Sequence, residues 1–170
     1  MDDARERYVL DWLADIVAGH LGELGPVDDA LADHLLRERL APLAAACGGR
    51  HPTLAAAQRR CLVETTAIEK VTGRCVDVLG TAGIRCAALK GPALAAGYWP
   101  DPSVRGSSDV DLLVAPTDLA RARALLLDAG FAERLLYPDW YLRRWHYHLT
   151  LLSRDPTVSV ELHWLFCRPY

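Results

Sequence analysis

The chain has 170 residues, 51% hydrophobic and 24% charged, with a formal net charge of −3 at pH 7. That balance belongs to a folded chain rather than a disordered one, and the length suits one ordinary domain or a small core with an appendage. The slight negative charge argues against a protein whose main work is gripping DNA or RNA, while leaving a small nucleotide ligand open.

Met1-Asp2-Asp3 is acidic where a secretion signal is basic, and no apolar run approaches the ~20 residues of a membrane span. Residues 4–18 predict a helix with one apolar stripe, Tyr8, Val9, Trp12, Leu13, Ile16 and Val17, stopped by Gly19. Asp28 or Asp29 suits an N-cap. The helix it opens carries Leu31, Leu35, Leu36, Leu40 and Leu43, interrupted or kinked at Pro42 and ended by Gly48-Gly49. A third helix opens at Pro52-Thr53 and runs through Leu79 to a stop at Gly80, with a break possible at Gly73. None of this helical region, residues 1–80, carries a chemical motif; Arg59, Arg60, Glu64 and Lys70 read as a solvated face.

From Gly83 the pattern changes. Residues 84–89 form a short apolar run between glycines, which fits a buried strand. Lys90-Gly91-Pro92 follows. Gly91 lets backbone approach a ligand, a helix start favours phosphate, and Lys90 can meet the same anion. Residues 109–115 predict a strand in which Asp109 and Asp111 share one face while Val110 and Leu112 point to the core. Two adjacent carboxylates repel unless a cation lies between them, and hard oxygen ligands suit Mg²⁺; the alternative is a pair of solvated acids. Arg105 has two open roles, a salt bridge to those acids or a phosphate contact. A helix capped by Thr117 or Asp118 carries Leu119, Ala122, Leu125 and Leu126 and ends at Gly130, so strand and helix alternate as in α/β or α+β folds.

Residues 145–152 predict a strand with His146, His148 and Thr150 on one face. A turn at 154–157 makes a hairpin. The returning strand alternates Val158, Val160, Leu162 and Trp164 against Ser159, Glu161 and His163. If it neighbours the Asp109–Asp111 strand, three carboxylates converge. His146, His148 and His163 offer a zinc site as an alternative use of that face; packing beside the acids, with His163 against Glu161, is the plainer one. The aromatics Trp140, Tyr141, Trp145 and Tyr147 suit core or interface better than base stacking. The five cysteines, Cys47, Cys61, Cys75, Cys86 and Cys167, form no CxxC pair and fit a reducing, cytoplasmic setting.

Leu89-Lys90-Gly91, Tyr98 through Asp101-Pro102, Arg105 with Ser108-Asp109-Val110-Asp111-Leu112-Leu113-Val114, and Glu161-Leu162-His163-Trp164 together resemble the uncharacterised bacterial nucleotidyltransferase family of the DNA polymerase β-like superfamily. The resemblance implies an α+β fold: a mixed β-sheet with flanking helices at residues 81–170, preceded by the helical region. It implies a metal-dependent transfer of a nucleoside monophosphate from a nucleoside triphosphate to an acceptor hydroxyl, with pyrophosphate leaving. Asp109, Asp111 and Glu161 are then the catalytic acids and ligands of two Mg²⁺ ions, and Lys90, Gly91, Arg105 and Ser108 contact the nucleotide. The superfamily has Gly-Ser or Gly-Gly where this chain has Gly91-Pro92; Pro92 donates no backbone hydrogen bond, so Lys90 is expected to compensate. The family continues into a further helical region after the His-Trp strand, whereas this sequence ends at Tyr170. The expectation is a site completed by a second copy or a partner subunit, and the alternative function is a catalytically incomplete binding or regulatory subunit.

Overall fold

Asp28 adopts extended backbone and its carboxylate accepts from Leu31 N at 2.8 Å, which starts helix α2 (Asp29–Arg37). Residues 3–20, 23–99, 101, 104–134, 138, 141, 146–154 and 156–166 are described by the computed structural model. They form two compact units, Met1–Leu62 with Ser103–Arg105, and Val63–Pro102 with Gly106–Tyr170.

In the first unit, helix α1 (Asp3–Val17) ends at Gly19, whose φ is +85°. Its stripe is buried only at Val9 and Trp12; Tyr8 and Val17 are exposed. The Tyr8 hydroxyl accepts from Gly25 N at 2.9 Å instead. The single kinked helix expected after Asp28 is two helices. Arg39 takes a positive φ of 60° between α2 and α3 (Ala41–Ala46), and Pro42 lies in the first turn of α3, where its missing N–H costs nothing.

Helix α4 (Pro52–Thr81) is continuous through Gly73. It also passes through Gly80, the expected stop, and the chain turns at Gly83, φ +73°. Among the described residues no helix is long and apolar enough to cross a membrane.

The second unit holds a five-stranded sheet in the order β1-β2-β5-β4-β3: β1 (Cys86–Ala88), β2 (Asp109–Val114), β3 (Ala132–Glu133), β4 (His148–Arg154) and β5 (Thr157–His163). The β2–β5 pair is parallel and the other neighbours are antiparallel. Helices α5 (Pro92–Tyr98) and α6 (Leu119–Asp128) complete the unit.

Period-two alternation sends Val110, Leu112, Val114, Leu149, Leu151, Val158, Val160 and Leu162 to one face. There they pack with Ile68, Val71, Cys75 and Leu79 of α4 and with Ala122 and Leu126 of α6. The other face carries the polar set. Two strands are offset along the chain from the sequence expectation. The ladder between β4 and β5 ends at the His148–His163 pair, so His146 precedes its strand and Trp164 follows its own. Trp140 and Trp145 lie outside the described residues.

Candidate active site

Parallel pairing sets Asp109 opposite Ser159 and Asp111 opposite Glu161. Because alternate residues share a face, Asp109 and Asp111 of β2 and Glu161 and His163 of β5 lie together on the face away from the core. The condition for convergence of the three carboxylates is therefore met: β5 is the direct neighbour of β2.

Asp111 is the buried centre, with its side chain 1% exposed. Removing a carboxylate from water is expensive unless it is paired. Here Lys90 Nζ donates to Asp111 Oδ1 at 3.0 Å, and His163 Nε2 lies 3.0 Å from the same oxygen. His163 Nε2 is also 3.4 Å from Glu161, and His148 Nε2 is 3.7 Å from the other oxygen of that carboxylate. The Lys90 hydrogen bond to Asp111, aided by the charges of Asp111, Glu161 and Asp109, holds the ammonium above its ordinary pKa, so it stays charged. Burial pushes the His148 imidazole below its ordinary value against the pull of Glu161, leaving it neutral at pH 7.

Local backbone joins the turn to the acid strand. Leu89 N donates to Asp111 O at 3.0 Å, extending the β1–β2 pairing up to Lys90. Gly91 then adopts φ +59° beside Ser107, so close that a Cβ there would lie 2.9 Å from Ser107 Oγ. The Ser107 hydroxyl donates to Asp109 O at 3.1 Å.

The structure brings together Lys90, Asp109, Asp111 and Glu161 on one face, with Gly91 at the adjoining turn. Ser108 is exposed immediately before β2. Arg105 is grouped with the first unit. Two residues of the site were undervalued in the sequence. Ser107 shares the parity of Asp109 and Asp111 and sits against Gly91. His163 was expected against Glu161, but its shorter contact is to Asp111. The group of potential metal ligands among the described residues is His148, Glu161 and His163, with Glu161 where the sequence suggested His146. The His146 ring instead makes an edge contact with that of His148, centroids 6.0 Å apart.

A mixed five-stranded sheet, helices on its apolar face and an acidic, lysine-flanked set on the other define a nucleotidyltransferase-like protein. The chain belongs to the family described as uncharacterised nucleotidyltransferase, whose profile matches residues 28–169. No curated protein matches the chain. Family membership supports nucleotidyl transfer as the general activity, and with it a nucleoside triphosphate as the ligand class.

Proposed function

We propose that this protein transfers a nucleoside monophosphate from a nucleoside triphosphate to an acceptor hydroxyl and releases pyrophosphate. The observation that supports this reading is the β2–β5 register, with Asp111 beside Glu161 and Asp109 on the same face. Such an oxygen set fits a hard divalent cation, and Asp109, Asp111 and Glu161 would hold two Mg²⁺. Bound Mg²⁺ supplies charge neutralisation for the attacking and leaving oxygens.

The chain's own groups do the rest. The Lys90 ammonium neutralises the triphosphate, and the bare backbone of Gly91 admits close approach of a phosphate oxygen. Arg105 and Ser108 add contacts to the nucleotide. Glu161 accepts the proton of the acceptor hydroxyl. His163 orients the Asp111 carboxylate through the 3.0 Å contact to Oδ1.

A second reading is favoured by one observation: Asp111 is already satisfied by Lys90 and His163 without any cation. On that reading the chain is a nucleotidyltransferase-fold binding subunit that works with a partner chain. Thermal denaturation with each nucleoside triphosphate, in Mg²⁺ and in chelator, separates the two. For the enzyme, saturation about 100-fold above Kd adds about 2.7 kcal/mol, a rise of roughly 5–10 °C for a chain of this size. The rise is lost in chelator and in Asp109→Asn/Asp111→Asn. Absence of any nucleotide-dependent rise in the unaltered protein supports the binding subunit.

A further inference from the structure

We propose a second, chemically distinct metal site at His148, Glu161 and His163, which takes a borderline transition ion of the zinc and cobalt type. It shares Glu161 with the reading above but does not depend on nucleotide turnover.

His148 and His163 are a directly opposed pair across the antiparallel β4–β5 ladder, and Glu161 lies two residues before His163 on the same face. All three side chains therefore converge from two rigid, hydrogen-bonded strands. One ligand atom from each lies within 4.8 Å of the others. The separations involving the carboxylate are 3.4 Å to His163 Nε2 and 3.7 Å to His148 Nε2. Bonds of ~2.1 Å at a tetrahedral angle set neighbouring ligand atoms ~3.4 Å apart. The carboxylate separations are thus already close to that spacing, and the two imidazoles need only a small inward rotation.

The donor set decides the kind of ion. Two imidazole nitrogens and one carboxylate favour zinc, cobalt or nickel, whereas Mg²⁺ takes oxygens. The acid pair and the histidine pair thus select different metals. Three protein ligands leave a fourth position for water or a substrate oxygen. Coordination through Nε2 uses the lone pair of the neutral ring, with the ring proton on Nδ1. The ring also gives up its 3.0 Å contact with Asp111, which Lys90 continues to neutralise.

The test is a Co²⁺ titration of the full chain, purified without a histidine tag and stripped by chelator, with no nucleotide present. The expected result is one equivalent bound with intense visible bands of low coordination number. His148→Ala and Glu161→Gln should each weaken binding at least tenfold, while Asp109→Asn leaves the spectrum intact. His148 is only partly buried, so its removal tests the site without emptying the core. A pale octahedral spectrum overturns the proposal, as does an affinity unchanged by His148→Ala or one lost in Asp109→Asn. The Mg²⁺–nucleotide melt reads the acid pair separately. Loss of that response with an intact Co²⁺ spectrum would remove the transfer reaction and keep this site.

Discussion

Gly91 holds φ +59° at the junction between the Lys90 turn and the acid strand, and a Cβ there would lie 2.9 Å from Ser107 Oγ. An L-residue there meets two separate penalties, a left-handed backbone and a close contact. Gly91→Ala is expected to destabilise the protein by roughly 1–3 kcal/mol. Adding Ser107→Ala should recover only the contact part, because the φ cost remains; urea melts of the two variants measure both parts. Cys75 gives a prediction of opposite character. It is fully buried in the core, and that burial pushes its thiol up to about 12 from an ordinary 9.0, against the opposing charge of Arg74. The folded state thus holds the thiol proton more tightly than the unfolded chain does. This contribution to stability is intact below pH ~9 and is lost as pH rises toward about 12. Melts on either side of pH ~9 should show a smaller alkaline loss for Cys75→Ala than for the unaltered protein. At neutral pH that variant starts about 1 kcal/mol less stable because of the lost packing.

At the scale of elements, α4 shows how length overrides a local breaker. Gly73 sits inside a helix of 30 residues, and nothing lies within 4 Å of the position its Cβ would take. Gly73→Ala should therefore stabilise the protein by about 0.5–1 kcal/mol, read as a raised denaturant midpoint with unchanged slope. The segment after Asp28 shows the reverse. Leucines at helical spacing suggest one element, yet the positive φ of Arg39 breaks it and Pro42 starts the next helix rather than kinking the first. In the sheet, the β4–β5 register runs to the His148–His163 pair, and Trp164 N donating to Tyr147 O at 3.1 Å carries the backbone contact one residue further.

For the molecule as a whole, the strand order β1-β2-β5-β4-β3 makes β2, β5 and β4 interior, with β5 at the centre, and leaves β1 and β3 at the edges. The acid pair, Glu161 and His163 all sit on the interior strands, whose opposite face is the apolar core. Hydrogen exchange should find the slowest amides of the sheet in β2 and β5, and fast exchange in the two-residue edge strand β3. Comparable exchange in β2 and β3 would contradict this order. A rigid sheet centre suits a site that must hold like charges close together, since the strands cannot separate to relieve the repulsion without breaking the core.

Much of the site was legible before the fold. Period-two alternation alone sets Asp109 with Asp111, and Glu161 with His163, because side chains on a strand alternate faces whatever surrounds them. The helix cap at Asp28 and the turn at Gly130 were equally local, decided by one side-chain hydrogen bond and one positive φ. The family was readable as well, because its signature lies in short contiguous motifs. Tertiary structure alone decided that the hairpin strand β5 lies beside β2. The parallel β2–β5 register turns two separate pairs of residues into one cluster. It also places His163 on Asp111, while the antiparallel β4–β5 register sets His148 rather than His146 beside Glu161. The β2–β5 pairing joins segments about fifty residues apart, a long-range choice that local periodicity does not encode.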